Sequence, residues 1–600
     1  MPLADFRLLS RNLLCYNDID KQRRPGLAAK GLLEKGWMSC SSIPVVRLFA
    51  MLCTAIIFGA AGACSPDHYK ADADKDVYKI LDDKWHPNFG QQANYVIKDA
   101  NTILSPTDIK LEAVPAAPES ISLAQAVAIA TANSRTYQSQ KETLYLSALS
   151  LTGVRHDYEQ QWFATIDGAY VNDSASEKDF SLHSNVGTQR DFLFGDGIEV
   201  GTTLAVDWVR FLTGDPRTTL GSVLTASATA PLLGAGTGKQ KQETLIQTER
   251  QVLYDIRSFN RFRQSFVVDT VNSYYGVLQN KDSVTNAENN YKRVLESKDR
   301  LEMEAQAGRK TRMDVDEAQQ NVLRAQDTLV RAQQDYERAL DNFKIRLALP
   351  TDANIVLDQN ELKALADIGV GVPGFTLDAS VETALLRRLD LANSQDKIDD
   401  ALRKVTLAAD GLGPQLNVSA GVGYSSSPDN TQLERIQFNQ GSYNLGFDAD
   451  LPLDRKLQRN NYRRSLIDLQ RQQRQYEGDV DTIKLQVREA YRLLIETADR
   501  YRIQKNSLDL ARQRVESNEL LLNAGRVTVR ILLESQDALV QAENAVTAAL
   551  VDHLDAKLSF YRDVGILQVK PDGMWAKQDI ISEKLTNGNA NESQKPEDNS

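Results

Sequence analysis

The sequence predicts a mainly α-helical protein with a membrane β-barrel element, arranged as two copies of one long unit. Two observations support this prediction. The stretch from Ala307 to Leu347 returns about 217 residues later, from Ala524 to Val564, and a repeat of that length indicates a duplicated architecture. Before each long helix the apolar residues alternate with a period of two, which is typical of strands. The predicted order is therefore helix, strands, long helix and return helix, taken twice.

The amino terminus predicts export. Residues 43–64 combine a basic residue, an apolar run and small residues, so residues 1–63 are predicted to be a signal peptide. Its polar upstream part would be a misassigned extension if translation starts at Met38 or Met51. The closing letters AGAC resemble a bacterial lipobox, which predicts lipidation of Cys64, and they also satisfy the A-x-A rule for ordinary signal peptidase. No cysteine follows Cys64, so no disulfide is expected in the exported chain.

Composition and the repeat set the remaining boundaries. Residues 64–118 are polar and interrupted by prolines, which predicts an extended arm. The first repeat is predicted over residues 119–358 and the second over 376–569, with a glycine-rich linker at 359–375. The tail, residues 570–600, is rich in Asn, Glu, Lys and Ser and is predicted to be disordered.

Five alternating stretches predict strands: Trp162 to Asn172, Glu199 to Trp208, Leu224 to Ala230, Gln415 to Tyr424 and Tyr443 to Leu451. The first three belong to the first repeat, and an odd number cannot return the chain to the same side of a membrane. We therefore expect an extracellular elaboration, a broken strand or an added hairpin between about Ser174 and Gly221. Periodicity alone permits a soluble sandwich as well. The export signal, the long coiled coils and the few strands favour a barrel whose apolar face contacts outer-membrane lipid.

Very long helices are predicted from about Lys239 to Gln306 and from about Gln458 to Asn523. At 1.5 Å per residue each is roughly 100 Å long, which exceeds the thickness of a bilayer core. Each turns back at a glycine, Gly308 or Gly525, because glycine permits the left-handed backbone of a helix end. The return helices carry Ala-rich apolar seams at steps of about three and four residues, so two antiparallel coiled-coil hairpins are predicted.

Taken together, these features resemble the TolC-like family of outer-membrane efflux proteins, over about Ser120 to Val569. The resemblance depends on the AGR-x-T turn before each return helix, on strands that end at Pro231 and Pro452, and on the duplicated order of elements. It implies a homotrimer in which each chain contributes four strands to a shared barrel, while the hairpins form a periplasmic α-helical barrel. The implied function is a passive efflux channel for small molecules. Its implied partners are a periplasmic adaptor (membrane fusion protein) and an inner-membrane pump of the RND or ABC type.

The resemblance also implies which residues carry the function. The adaptor-docking tip of the tunnel would be formed by Gly308, Arg309, Thr311, Gly525, Arg526 and Thr528. The family narrows its tunnel with acidic residues just after the turn, and Asp314 and Glu534 match that gate by position. Where some relatives carry another Asp, this chain has Ile531 beside Arg530, so its gate departs from the family pattern.

Charge and composition argue against other classes. The net charge of -11 opposes nucleic-acid binding, which needs a basic surface, and fits a lumen that prefers cations. The five histidines form no metal-spaced pair, and the carboxylates occupy mostly solvated helix faces, so we predict no enzyme, no metal and no cofactor. Two alternatives stay open: the outer-membrane component of type I protein secretion, and a periplasmic coiled-coil scaffold with a small soluble sheet.

Overall fold

The computed structural model describes residues 65–86, 89, 92, 94–97, 120–172, 178–192, 197–211, 218–233, 237–371, 374–426, 436–451, 453–570 and 574. The predicted signal peptide, Cys64 and most of the predicted tail lie outside these residues. The chain divides into two compact units, Met1–Lys70 and Ala71–Ser600, and all packing reported below lies within the second. None of the described helices combines the length and the apolar character that a membrane span requires.

The first helix, α1 (Pro66–Lys84), corrects the prediction of an extended arm over residues 64–118. Proline is favourable at the first helical position because its missing N–H would have no helical partner there, and an acidic residue, Asp67, follows in the first turn. Val77, Ile80 and Leu81 are buried at helical spacing. This stripe is narrow and stands among many aspartates, which is why the composition concealed it.

Two helices, α2 (Leu123–Asn133) and α3 (Arg135–His156), replace the single helix that the sequence suggests before the first strand. They separate at Ser134, whose side chain accepts a hydrogen bond from the backbone N–H of Tyr137 and so caps α3. A short parallel bridge, β1 (Ser120–Ile121) with β6 (Val356–Leu357), joins the start and the end of this half. We call residues 119–358 the first half and residues 376–569 the second half.

A six-stranded antiparallel sheet draws strands from both halves. The strands are β2 (Gln161–Val171), β3 (Asp179–Phe192), β4 (Ile198–Phe211), β5 (Thr218–Leu233), β7 (Gln415–Ser426) and β8 (Ile436–Asp450). Their spatial order is β2-β3-β4-β5-β7-β8, so β2 and β8 form the two edges of the sheet as described. The contribution of four strands per chain that the resemblance implies is therefore wrong for the part of this chain that the structure describes, whose sheet has six strands.

Strand β3 is the element that the sequence did not predict. It lies within the stretch where we expected an elaboration, and it brings the strands of the first half to four. Its alternation is weak because Ser184 and Thr188 stand on the same face as Phe180, Leu182 and Val186. Of the three alternatives expected there, an extracellular elaboration, a broken strand or an added hairpin, the structure shows an added hairpin.

The long hairpins are α4 (Thr237–Gln306) with α5 (Arg312–Arg346), and α9 (Lys456–Asn523) with α10 (Val529–Val564). The prediction of two long helices is confirmed to within two residues at their starts. Between the halves, in the predicted linker over residues 359–375, lies one short helix, α6 (Asn360–Ile368). The second half then begins with two shorter helices, α7 (Leu377–Arg387) and α8 (Leu389–Asp410).

The four long helices form one layer in the order α5-α4-α10-α9, since α4 packs on both α5 and α10, and α10 packs on α9. The central helix α10 buries its seam along most of its length, whereas the edge helix α5 buries residues mainly near its two ends. Apolar residues on the edge helices remain more than half exposed, including Leu323 and Val330 on α5 and Leu485, Ile503 and Leu510 on α9. The helical layer therefore has two uncovered, partly apolar edges.

Candidate functional site: the polar face of the sheet and the helical tip

One face of the six-stranded sheet is mainly apolar on every strand, with Arg190 near the end of β3 as a charged exception. Residues directly opposite each other in an antiparallel ladder point to the same face, and the observed register aligns the apolar members of every strand. This face includes Trp162, Ile166, Tyr170, Phe180, Val186, Leu204, Trp208, Leu224, Val422, Leu445 and Phe447. Leu445 is 82% exposed, Phe447 79% and Trp162 74%. Nothing described in the chain covers this face, as expected for a surface that contacts lipid.

The opposite face is polar and acidic. Its carboxylates are Asp167, Asp179, Asp191, Glu199, Asp207, Asp448 and Asp450. Among the strand residues whose side chains are described, no Lys or Arg shares this face. His183 Nδ1 lies 2.8 Å from Asp207 Oδ1, and Gln189 donates to Glu199 at 2.7 Å. Cations are favoured beside such a surface, because they gain Coulomb energy where anions lose it.

The two tip turns have the same backbone design. Gly308 has φ 75° and Gly525 has φ 69°, so each glycine supplies the predicted left-handed residue at the helix end. The next residue closes the turn: Arg309 N–H donates to the Glu304 carbonyl, and Arg526 N–H donates to its counterpart Leu521, both at 2.9 Å. The AGR part of the motif is therefore a helix stop.

The threonine of the motif starts the return helix. Thr311 and Thr528 both occupy the N-cap position with extended backbone. All six predicted tip residues, namely Gly308, Arg309, Thr311, Gly525, Arg526 and Thr528, are exposed. They are thus accessible for docking in the chain as described.

The side chains at the two turns differ. Thr311 and Asp314 form a capping box, in which Asp314 N–H donates to Thr311 Oγ1 at 3.2 Å and Thr311 N–H donates to Asp314 Oδ2 at 3.0 Å. The Thr311 hydroxyl also donates to this carboxylate, which holds the pKa of Asp314 below its ordinary value. In the second turn Ile531 stands at the equivalent position, and Thr528 makes no side-chain cap bond. Asp314 therefore stabilises its own helix start.

The two turns lie side by side. Leu301 and Val322 from the first hairpin share an apolar cluster with Leu522 and Leu532 from the second. The predicted gate residue Glu534 is exposed and makes no hydrogen bond or ion pair with any residue that the structure describes.

Two ion pairs that the sequence reasoning missed also link the hairpins near the tip. Arg530 Nε lies 3.2 Å from Glu317 Oε1, and Arg300 Nη1 lies 3.3 Å from Glu519 Oε1. Glu317 was visible as a matched position of the repeat, but its partner Arg530 has no basic counterpart in the first copy. The repeat alone therefore gave no signal for this pairing.

A buried polar cluster joins the two halves near the middle of the chain. Asp400 on α8 accepts hydrogen bonds from Tyr254 on α4 at 2.6 Å and from Arg403 at 2.8 Å, and it pairs with Arg250. Burial by itself would raise the pKa of Asp400, but these donors and the Arg250 charge hold that pKa below its ordinary value. Burial together with the Asp400 contact raises the pKa of Tyr254 to about 12. No motif in the sequence predicted this cluster.

His553 occupies the buried seam of α10. The backbone N–H of Gly371 donates to its Nε2 at 3.3 Å, and Thr497 Oγ1 lies 3.2 Å from its Nδ1. Burial lowers the pKa of His553, which favours the neutral ring. Within the described residues no group of three or more His, Cys, Asp or Glu side chains is arranged to hold a metal ion.

One family model and several solved structures are similar to this chain. Residues 380–565 match the family model described as outer membrane efflux protein. Among solved structures, CusC is 14% identical, with a TM-score of 0.55 over 78% of this chain and 99% of its own. VceC of Vibrio cholerae is 12% identical, with a TM-score of 0.54 over 74% and 96% of the two chains. The open state of MtrE of Neisseria gonorrhoeae is 13% identical, with a TM-score of 0.54 over 75% and 90%.

No curated protein sequence matches this chain significantly. At identities this low the structural similarity shows the fold, which is that of outer-membrane channels. The family match over residues 380–565 adds sequence support within the second half. The resemblance to the outer-membrane efflux proteins is thereby confirmed.

Proposed function

We propose that this relative of the outer-membrane efflux proteins is the outer-membrane channel of a tripartite efflux system. Three copies form a β-barrel in the outer membrane and an α-helical tunnel in the periplasm, with each chain built as a duplicated unit. The channel is a passive conduit for small molecules and catalyses no reaction. A periplasmic adaptor joins it to an inner-membrane pump of the RND or ABC type, which supplies the energy.

The observation that carries this proposal is that both layers of the chain end in uncovered edges. The sheet has β2 and β8 at its edges, and unpaired backbone groups cannot remain open to lipid. The helical layer ends in α5 and α9, whose apolar residues are exposed. Copies of the chain arranged in a ring cover both kinds of edge at once. A scaffold with a soluble sheet would leave the apolar strand face in water.

The polar face of the sheet would line the pore. Its seven carboxylates, of which Asp191 is already paired with Lys241 of α4, are repeated in each copy and favour cationic or neutral polar cargo over anions. At the periplasmic end we propose that the adaptor contacts the exposed tip residues Gly308, Arg309, Thr311, Gly525, Arg526 and Thr528. Asp314 and Glu534 contribute negative charge at the gate, which opens when the hairpins of neighbouring copies separate.

Export and anchoring complete the proposal. Residues 1–63 direct the chain to the periplasm, and lipidation of Cys64 adds a second attachment to the outer membrane. Cells grown with radioactive palmitate should yield labelled protein, and the Cys64→Ala variant should not be labelled. An unlabelled chain would remove the lipid anchor from the proposal and leave the channel intact.

The function is tested by placing one charge on either face of the same strand. In a Cys64→Ala background, Ile166→Arg puts a cation on the apolar face and Thr165→Arg puts it on the polar face. At the bilayer midplane the first change costs about 2 to 4 kcal/mol. We expect the Thr165→Arg protein to stay with carbonate-washed membranes and to give conductance steps in planar bilayers, and the Ile166→Arg protein to assemble poorly.

Cation selectivity of those steps, measured as the reversal potential across a salt gradient, is the expected result for the parent protein. The coiled-coil scaffold would instead be established by three results together. Carbonate would release the parent protein from membranes, the protein would give no conductance, and the two arginine variants would assemble equally well. Efflux and type I secretion are separated in cells. Loss of the channel should raise the accumulation of a cationic dye if it serves efflux, and should abolish secretion of a protein if it serves secretion.

A further inference from the structure

We infer that the barrel of this channel contains eighteen strands, because three copies of a six-stranded sheet close it. The resemblance implies four strands per chain and therefore twelve in the trimer. This inference rests on the proposed trimeric channel and adds the size of its exit. Its partner surface is a second copy of the chain, which pairs along β2 and β8.

The first step is that the β2-β3 hairpin is an integral part of the sheet. All residues of β2 pair with β3, and β3 in turn pairs with β4 along its full length. The hairpin is also tightly fitted. A Cβ at Gly187 on β3 would lie 2.5 Å from Phe163 Cζ on β2 and 2.6 Å from the Thr202 carbonyl on β4. A loop laid over the barrel would not require such a close approach of three strands.

The second step is that the hairpin has the same two faces as the other strands. Ile166 lies opposite Ser184, which lies opposite Val206, so the apolar face continues without a change of phase. Near the loop end, Phe180 and Trp208 pack edge to face at 5.8 Å between ring centroids, and aromatic residues are frequent at membrane interfaces. All six strands therefore cross the same apolar layer.

The third step concerns closure. β2 leads away from the helices and β8 leads back toward them, so β8 of one copy can pair antiparallel with β2 of the next. The edges are 11 and 15 residues long, and about 9 to 11 residues suffice to cross a bilayer. Repeating this contact around a ring leaves no open edge in the lipid, which a membrane sheet requires.

The consequence is a wide exit. Barrel diameter grows roughly linearly with strand number, so eighteen strands give a barrel about half as wide again as twelve, in the range where porins hold an aqueous channel. The barrel would then admit bulky, hydrated, cationic or neutral solutes, and size selection would be left to the helical tip.

Disulfide trapping tests this closure, because no cysteine follows Cys64. One variant set combines Thr165→Cys on β2 with cysteine at Ser442, Asn444 or Gly446 on the polar face of β8. The matched set replaces Thr165→Cys with Ala205→Cys on β4, which lies at the same level two strands away. Strands are about 4.8 Å apart, and a disulfide requires Cα atoms within about 7 Å, so only neighbouring strands can be joined.

We expect at least one Thr165→Cys pair to give covalent dimers and trimers on non-reducing gels, and every Ala205→Cys pair to remain monomeric. Reduction should return the products to monomer. Cross-linking through the Ala205→Cys set alone would mean that β4 forms the edge and that the barrel has twelve strands, which overturns the inference but keeps the channel. Monomers in both sets, together with a monomeric mass in detergent, would overturn the proposed trimer as well.

Discussion

The two halves of the chain agree in their helices and differ in their strands. The hairpins contain 70 and 35 residues in the first half, and 68 and 36 in the second. The same halves contribute four strands and two strands to the sheet. In the proposed channel, hairpins that meet one adaptor at a common level are constrained to equal length. Strands in that channel need only an even number to return the chain to its side of the membrane, so a hairpin can be added without disturbing the proposed tunnel.

The family match covers residues 380–565, which lie in the second half. The two halves also differ in their side chains, both at the tip turns and near the middle of the chain. The first turn has a capping box and the second does not. Asp400, the twelfth residue of α8, is buried against α4, whereas Leu146, the twelfth residue of α3, is exposed. The two halves therefore share the backbone design of their hairpins and differ in their side-chain contacts.

Removing the β2-β3 hairpin should have the largest effect on the difference in strand number between the halves. Residues 161–196 are replaced by a short Gly-Ser linker, which leaves two strands from each half. We expect a trimer with twelve strands and a barrel about two-thirds as wide, since diameter follows strand number. Electron microscopy of the trimer in lipid nanodiscs measures the width, with the unchanged helical tunnel as the internal control. An unaltered barrel diameter would show that this hairpin is not in the wall.

Replacing Asp400 with alanine should be the largest single-residue effect. It removes the buried acceptor that Tyr254, Arg250 and Arg403 share, although Arg250 keeps its ion pair with Asp396 and Arg403 keeps its pair with Glu243. A buried donor left unsatisfied typically costs about 1 to 3 kcal/mol, so the thermal unfolding midpoint should fall. Asp499→Ala is the matched control, because its ion pair with Arg502 is exposed and should be worth under about 1 kcal/mol. Equal shifts of the two midpoints would contradict the assigned role of the cluster.

Acidification should separate the same two variants. The pKa of Asp400 is lowered in the folded chain, so its stabilisation is present above the unfolded value of about 3.9 and is lost as the pH falls through the folded pKa. Parent protein and Asp499→Ala should share this loss of stability below about pH 4, whereas Asp400→Ala should lack that part of the acid profile. Parallel profiles for all three proteins would argue against the low pKa.

The tip glycines should respond alike, since their backbones are alike. Gly308→Ala and Gly525→Ala each place a Cβ on a left-handed residue, at a cost of roughly 1 to 2 kcal/mol. Hydrogen exchange of the flanking turns should quicken to a similar extent in both. Gly478→Ala, within α9 and with no atom near the added Cβ, should be neutral or stabilising by up to about 1 kcal/mol. Unequal responses at the two tips would mean that their backbones differ in solution.

The caps should respond unequally, and by the smallest amounts. Thr311→Ala removes half of a capping box and should cost about 1 kcal/mol, while Thr528→Ala should cost only a few tenths because its side chain caps nothing. Ile531→Asp should install the missing box and slow hydrogen exchange at the start of α10. If Thr528→Ala proves as costly as Thr311→Ala, the second turn has a cap that the static structure does not show.

The helical hairpins could be predicted from the local chemistry of the sequence. Their starts, their seams and their turns depend on residues within a few positions of each other: glycine for the left-handed stop, threonine for the cap, and small apolar residues every three or four positions. The tip residues were named through the family resemblance, which depends on the same turn motif, and the structure places them at exposed positions of two adjacent turns. The helix α1 was not predicted because its apolar stripe contains only three buried residues.

Only the tertiary structure decided the number of strands and the partners of the charged groups. A strand is stabilised by neighbours that are distant in sequence, so β3 can tolerate Ser184 and Thr188 on its apolar face once β2 and β4 pair with it. The same holds for Arg530 with Glu317 and for Asp400 with Tyr254, whose contacts span the two halves. Periodicity in the sequence indicates which face of a helix or strand a residue occupies. Which residue it contacts on that face depends on how segments that are distant in sequence pack together.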